Sequence, residues 1–444
     1  VMCGYNLVNG VPACASQALL NKTLRGQWGF RGSVVSDFDS WASMVDTQHF
    51  VQNYTSAAAL GLNAGLDQEG GGTKVVSTLP QAVALGLTSA AQVDLAFRRL
   101  FRTRIRLGMF DPPSEVPFNT LTLDERLGSD RQLAVRATRE SLCLYKNRGG
   151  VLPLDAKSSG RVAVVGPGAV LGQLLLGNYM EPGVEPADID RILSGIGRYM
   201  GEGADFLAAV QKCGDDAAGN DLACSELVGS AVHYAAGCES VECPDQSLFA
   251  AAEAAARGAG ATIVVLGLRY DSIGNCLNCT VETPPENCSV SGCESEGFDR
   301  ISLDLPPNQY ALVRRLRLAT TGPLIGIFVH GGVFSLKNLN EDLDAMLDAW
   351  YPGAAAGEAI SDVLFGRYSP AGRTAVTWYQ STDDLPADRS NASWYTPPGY
   401  SYRFFQGPKA DIALGHGLSN SFSQENTGVF YVSSQLFFTE TITV

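Results

Sequence analysis

A chain of 444 residues that is 45% hydrophobic and 18% charged, with 48 glycines, has room for two or three turn-rich globular domains with well-buried cores. Its 32 basic and 46 acidic side chains leave a net charge of −14 without a basic stripe interleaved with aromatics, which argues against a nucleic-acid partner. Apolar runs such as "ATIVVLGL" stop well short of a membrane span, so no membrane partner is expected.

The opening "VMCGYN" reads as a strand, "SQALLNKTLRGQWG" as a helix, and Ser33-Val34-Val35 within "GFRGSVVSDFDSW" as a second strand. In a parallel α/β fold, a β-branched run that meets polar residues is a strand reaching its C-terminal loop, the rim where chemistry is done. Asp37 is therefore a catalytic candidate, the alternative being that Asp37 or Asp39 caps the helix that follows. "TSAAALGLNAGLD" reads as a helix feeding a third strand near Leu62 to Asp67. In "TSAAQVDLAFRRLFRTRIRLGMFDPP", Ser89 and Gln92 make a capping box; Val93, Phe97, Leu100 and Ile105 make an apolar stripe, and Gly108 with Pro112 ends the helix. Repeated βα units of this kind predict a parallel sheet or barrel.

Residues 111 to 130 lack periodicity and read as a linker. A second α/β pattern follows, with strands "RVAVVG", "SAVHYAAG", "ATIVVLGL", "PLIGIFVHGG" and "DAMLDAWYPG". Between and around them stand helices "DRQLAVRATRES", "GADFLAAVQKC", "SLFAAAEAAARG", "NQYALVRRLRLA" and "GEAISDVLFG". Helices between buried strands predict a sheet covered on both faces. "VAVVGPGAVLG" imitates a dinucleotide fingerprint, but its spacing is wrong, Pro167 sits inside it, and no acidic strand end follows; a tight turn is expected. The histidines His49, His233, His330 and His416 are scattered, and no Gly-X-Ser-X-Gly elbow occurs, which disfavours a histidine metal site and a serine triad. His330 in "FVHGG" reads as a satisfied strand-end histidine.

Eleven cysteines, mostly in local pairs (Cys3/Cys14, Cys213/Cys224, Cys238/Cys243, and the cluster Cys276, Cys279, Cys288, Cys293), argue for an oxidising compartment. Sequons at Asn21, Asn53, Asn278, Asn287 and Asn391 point the same way, so a secreted glycoprotein is expected, although no signal peptide is visible in "VMCGYNLVNG". A four-thiolate zinc site in the cluster is weighed against a glycosylated disulfide loop, which the overlapping sequons favour. Cys143, inside "SLCLY", is expected to be the unpaired, buried thiol.

Several motifs then fall in one order along residues 1 to about 420: "VMCGYNLVNGVPAC", "GFRGSVVSDF", "NAGLD", "LYKNRGGVLPL", "LLGNY", "EGFDR" with "LDLPPNQ", "AISDVLFGRYSPAGR" and "YSYRFF". The chain resembles glycoside hydrolase family 3. "LLGNY", Cys238 to Cys243 and "EGFDR" resemble its β-xylosidase/α-arabinofuranosidase branch more than its β-glucosidases. The resemblance implies an α/β fold: residues 1–110 as the last three strands of a (β/α)8 barrel, 111–140 as a linker, 141–375 as an α/β sandwich domain and 376–444 as a C-terminal extension. It also implies that Asp37 is the nucleophile, at the end of the seventh barrel strand, and that Glu296 is the acid/base, with Glu294 in reserve.

Retaining glycoside hydrolysis needs that pair, one carboxylate to attack the anomeric carbon and one carboxyl to protonate the leaving oxygen, about 5–5.5 Å apart. Both roles belong to carboxyls, so no metal or organic cofactor is expected. Without the resemblance, Glu296 would read as a solvated loop acid and Asp299 with Arg300 as a local ion pair. The resemblance also implies that Tyr5 stands beside the nucleophile, where its phenol could orient the carboxylate. Phe38 departs from the family's patterns at its position and reads equally as a stacking face or as rim packing; Asp67 reads as a pocket residue or a turn-stabilising one. A complete barrel runs about 250 residues, so the first five strands are expected to be missing, in a fragment or one chain of a processed enzyme that a second chain or segment completes. The expected function is a retaining exo-glycosidase acting on an oligosaccharide or polysaccharide, β-xylosyl or α-arabinosyl at its end. The alternatives are a β-glucosidase and a non-catalytic carbohydrate-binding or interaction protein.

Overall fold

In the computed structural model, residues 1–432 are described except 121–122, 178–179, 181–183, 185, 215–223, 271–292, 295–299, 301, 388–392, 409 and 423–428. They divide into two units, Val1–Glu125 and Arg126–Val444.

The first unit holds a parallel sheet of β1 (Met2–Cys3), β2 (Val35–Phe38) and β3 (Gln68–Gly70), with β2 central. The βα pattern is met by helices α1 (Gln17–Gln27), α2 (Tyr54–Ala64) and α3 (Ala90–Arg106), each begun by a side-chain cap: Ser16, Asn53 and Ser89 accept from Leu19, Ser56 and Gln92. Strands β2 and β3 both start later than their sequence signals. The reason is one aspartate: the backbone N–H groups of Asp67 and Gln68 donate to Val34 O at 2.9 and 3.2 Å, while the Asp67 carboxylate accepts from Val34 N. The segments are thereby locked together one step before regular pairing starts. Trp41, Met44, Leu62 and Leu66 form the core. Gly61 is required there, because a Cβ would lie 2.5 Å from the Trp41 indole nitrogen. The stripe predicted on α3 is not buried as a unit: Val93 and Leu100 are half-buried, whereas Phe97 and Ile105 are exposed. The helix instead approaches the core through Ala96, and Phe97 stacks on Phe101 at 4.0 Å between centroids.

The second unit is built on a seven-stranded sheet of β4 (Cys143–Asn147), β5 (Val162–Val165), β6 (Glu226–Val228), β7 (Val232–Ala235), β8 (Ala261–Gly267), β9 (Leu324–Val329) and β10 (Ala345–Asp348), in the order β4-β10-β9-β8-β5-β7-β6. The inner five run parallel, and β4 and β6 are antiparallel edges. Their residues alternate between two cores: Val162, Val164, Ile263 and Val265 face one, Ala163, Val165, Val264 and Leu266 the other. This is the two-sided burial that continuous aliphatic runs predict. Helices α4 (Leu123–Ser141), α5 (Ile192–Met200), α6 (Ala204–Cys213), α7 (Phe249–Ala256), α8 (Pro307–Ala319) and α9 (Ala356–Leu364) flank it. Helices α5 and α9 touch backbone to backbone, since a Cβ on Gly195 would lie 1.9 Å from Gly357 O.

The "GPG" stretch is a tight turn, as expected: Gly166 has φ 108° and leads into the turn Pro167–Ala169 against the Val265 carbonyl. Disulfides join Cys3–Cys14, Cys213–Cys224 and Cys238–Cys243, the three local pairs read from the spacing. Cys143 is a free buried thiol, pushed up to about 12 by burial and by the nearby Asp348. The cluster from Cys276 to Cys288 lies outside the described residues.

Candidate active site

In the first unit the C-terminal ends of the three strands present Gly4-Tyr5, Asp37-Phe38 and Gly70-Gly71. Gly70 is compulsory at this rim, because a Cβ would sit 2.3 Å from Ser36 O; its N–H donates to the Ser36 hydroxyl at 2.9 Å. Asp37 is half-buried, and its Oδ1 accepts from the Phe38 N–H at 2.8 Å. Among the described residues it has no ion-pair partner. The short helix Ser43–Asp46 begins at Ala42 without any side-chain cap, so neither Asp37 nor Asp39 serves as its capping residue. Asp39 instead turns the chain with φ 57°, its N–H donating to Gly70 O. The Tyr5 hydroxyl donates to Phe38 O, and Gln48 Nε2 holds the Tyr5 carbonyl at 2.5 Å. The Phe38 ring is 70% exposed and stands out from the rim.

Asp67 occupies a different environment. Its side chain is fully buried, with Oδ2 2.6 Å from Arg25 and 2.9 Å from Val34 N, and Oδ1 3.2 Å from Arg99. Of the two readings of this residue, the geometry fits the turn-stabilising one. Burial lowers the Arg25 pKa, and the Asp67 charge opposes that shift.

In the second unit the relevant edge is the carboxyl ends of the parallel strands, where open α/β sheets place their ligands. β9 runs into His330-Gly331-Gly332 and β10 into Trp350-Tyr351. Glu294, in a two-residue strand beside Arg269–Tyr270, is fastened to this edge: Oε1 accepts from Gly331 N and from the Tyr351 hydroxyl at 2.6 Å, and Oε2 from Gly332 N at 2.8 Å. Arg300 lies 4.0 Å from Oε2 and donates to Val333 O; burial lowers its pKa, opposed by Glu294. Behind the turn, the buried His330 bonds Gly332 O through Nδ1 at 2.8 Å and Asp348 Oδ1 through Nε2 at 2.7 Å, and Asp348 also takes the Tyr145 hydroxyl. His330 is thus a satisfied strand-end histidine that shapes the loop holding Glu294. Glu296 and Asp299 lie outside the described residues.

Sequence reasoning singled out Asp37, Tyr5, Phe38 and Glu294 but passed over Trp350 and Tyr351. An aromatic pair directly after a buried strand, "DAWYPG", was the available signal. No cluster of metal-ligating side chains occurs among the described residues, and no described helix is long and apolar enough to cross a membrane.

Comparison with known proteins identifies the fold. A family model described as the glycosyl hydrolase family 3 C-terminal domain matches residues 142–419, and one described as the family's N-terminal domain matches residues 1–103. Probable beta-D-xylosidase 7 of Arabidopsis thaliana is 33% identical over 427 residues, 95% of this chain and 48% of the relative. Beta-xylosidase/alpha-L-arabinofuranosidase 2 of Medicago sativa subsp. varia is 33% identical over 432 residues, with the same shares covered. Among solved structures, a GH3 exo-beta-xylosidase (XlnD) in complex with a xylobiose aziridine probe superposes with a TM-score of 0.73 at 27% identity, over 94% of this chain and 48% of that one. The chain spans about half the length of the curated relatives it matches. With both family models matched in order along an α/β chain, this protein belongs to glycosyl hydrolase family 3.

Proposed function

We propose that the chain carries the catalytic carboxyls of a secreted, retaining exo-glycosidase that removes β-xylosyl or α-arabinosyl residues from the ends of plant-type oligosaccharides or polysaccharides. The observation that carries the reading is Asp37: a half-buried carboxylate at the C-terminal end of the central parallel strand, engaged neither as a helix cap nor, among the described residues, in an ion pair. An Asp37 oxygen attacks the anomeric carbon while Glu296 gives its proton to the departing glycosidic oxygen. Water, losing a proton to Glu296, then displaces Asp37, and the product keeps its anomeric configuration. Tyr5 holds the rim through the Phe38 carbonyl, Phe38 offers a ring to the sugar, and Asp67 acts from behind through the frame. The pentose preference rests on the xylosidase and arabinofuranosidase relatives.

The domain assignment belongs to the same proposal: residues 1–110 as part of a (β/α)8 barrel, 141–375 as the sandwich, and 376–444 as an extension. β1 and β3 each have an unpaired edge among the described residues, and a further segment or second chain closing the sheet removes those edges. Secretion is supported by the three disulfides and by the exposure of the sequon residues Asn21 and Asn53. A non-catalytic carbohydrate-binding role is the second reading, favoured by the chain's matching only about half of its relatives' length.

The test is a mechanism-based 2-fluoro-xyloside, applied to this chain alone and to the chain joined to the N-terminal half of a matched xylosidase. Labelling of Asp37 with retention of configuration is expected in the joined protein. The chain alone is expected to turn over at least about a hundredfold more slowly, the cost of a misplaced catalytic group. Inversion, or a label elsewhere, would sink the nucleophile assignment; no turnover in either form would leave the binding reading.

The acid/base assignment has its own discriminating result. Glu296→Ala is expected to slow substrates with poor leaving groups by roughly 10²–10⁴-fold and activated aryl glycosides far less. Glu294→Ala, which removes the acceptor of the Gly331 and Gly332 amides, is expected to affect both substrate types alike. The opposite pattern would exchange the two roles.

A further inference from the structure

The second unit has an open cleft of about 1190 Å³ between the β9 and β10 loops and the stretches Ala375–Tyr379 and Ser393–Phe404. Its lining is unusual in composition. Among the described residues it is lined by the rings of Trp350, Tyr379, Trp394, Tyr395 and Tyr402, with Arg403 as the one charged side chain and no Leu, Ile or Met. Three of the rings are open to solvent, Trp394 at 56%, Tyr395 at 73% and Tyr402 at 60%.

Three of these rings, Trp350, Tyr379 and Tyr395, are held in place by their surroundings. Trp350 has φ 52°, a left-handed conformation that a bulky residue adopts only when its surroundings impose it. Here its N–H reaches Asp348 Oδ1 at 3.3 Å, and its ring lies 4.8 Å from that of His330. The Tyr379 hydroxyl accepts from Ser401 N at 2.7 Å, and Ser401 is itself left-handed at φ 60°. Tyr395 packs on Phe404 at 4.4 Å between centroids. Rigid rings of this kind bind without first losing side-chain freedom.

We propose that this cleft is a binding site for a neutral oligosaccharide chain, whose pyranose C–H faces stack on the rings while its hydroxyls meet the tyrosine hydroxyls and Arg403. A peptide helix would be met by Leu, Ile or Met anchors, where the described lining offers only Val333, Ala375 and Val376 as aliphatic side chains, and a charged ligand by more than one charged side chain. The cleft exceeds the roughly 300–1,000 Å³ of a small-molecule pocket, which suits a run of sugar rings better than one. Gly331 and Gly332, whose amides hold Glu294, form its inner wall, so a bound chain would lie against the turn carrying that loop. The site goes beyond the catalytic reading, since binding needs neither Asp37 nor Glu296.

The experiment titrates the whole chain, in an Asp37→Asn background where hydrolysis cannot interfere, with xylose and with xylotetraose, following heat and tryptophan fluorescence. Xylotetraose is expected to bind and xylose to bind far more weakly. Trp394→Ala and Tyr402→Ala are each expected to weaken xylotetraose binding by roughly three- to tenfold, as loss of one stacking ring requires. Both side chains are exposed, so truncation leaves the fold intact, and Trp28→Ala, an exposed ring outside the cleft, is the control that leaves affinity unchanged. Undiminished affinity in the Trp394→Ala/Tyr402→Ala double variant overturns the proposal. So does absence of xylotetraose binding, and so does self-association of the parent chain that the double variant abolishes. Loss of Asp37 labelling with cleft binding intact would count against the catalytic reading alone.

Discussion

Replacing Asp37 with glycine is expected to lower turnover of aryl β-xylosides by at least about 10³-fold in the joined, active protein, while added azide restores part of the rate. Removing the carboxylate removes the atom that forms the glycosyl-enzyme bond, and no neighbour replaces it: Tyr5 is engaged with the Phe38 carbonyl and Ser36 with the Gly70 amide. The space vacated admits a small anion, which attacks the anomeric carbon from the same face. The product should then be a glycosyl azide of inverted configuration, a signature that general loss of structure would not produce. Structural damage should be slight, because among the described residues Asp37 accepts only a local hydrogen bond from Phe38 N, and Gly70, Gly71 and Ser36 keep the rim backbone in place. Turnover at the parent rate in this variant would remove Asp37 from the mechanism.

Asp67→Asn is expected to destabilise the first unit by about 3–5 kcal/mol, the range for breaking a buried ion pair by removing one partner. The Asp67 and Arg25 side chains are 0% and 7% exposed, so solvent screening is weak. An amide of nearly the same size keeps the contact to Val34 N but leaves two guanidinium groups, Arg25 and Arg99, without their counter-charge. Arg25 has further bonds to Gly32 O at 3.0 Å and Gly65 O at 2.9 Å, so it cannot turn to water without releasing the approaches to β2 and β3. Urea unfolding of the chain and the variant measures the effect. A loss below about 1 kcal/mol, the value of a solvent-exposed pair, would show that the cluster is open to water. The prediction also separates the two aspartates: Asp37 substitution should cost rate with little stability, Asp67 substitution stability first.

Much of the second unit was legible because its strands are buried on both faces. "ATIVVLGL" and "PLIGIFVHGG" admit no solvent-facing alternation, and the structure makes them the paired inner strands β8 and β9. The edge strands β4 and β6 escaped notice. Their sequences, "CLYKN" and "ELV", mix polar and apolar residues, and antiparallel pairing to β10 and β7 depends on partners far along the chain. Helix α5 was missed for a related reason: its glycines weaken its propensity, and contact with α9, where Gly195 and Gly357 permit close approach, supplies the stability.

The sequence by itself determined the α/β class, the three local disulfides and the placing of Asp37 at the carboxyl end of a strand, because each depends on neighbours within about a dozen residues. It left Asp37 open between a catalytic carboxylate and a helix cap, and Asp67 open between a pocket residue and a turn-stabilising one, since each choice depends on groups far along the chain. The tertiary structure brings Arg25 and Arg99 onto Asp67 and leaves Asp37, among the described residues, with the Phe38 amide and no ion-pair partner. The aromatic cleft was decided in the same way, as Trp350 and Trp394, far apart in the sequence, line one cleft only in the folded chain. Charge pairing and concavity are properties of residues converging from distant positions, and only folding makes them neighbours.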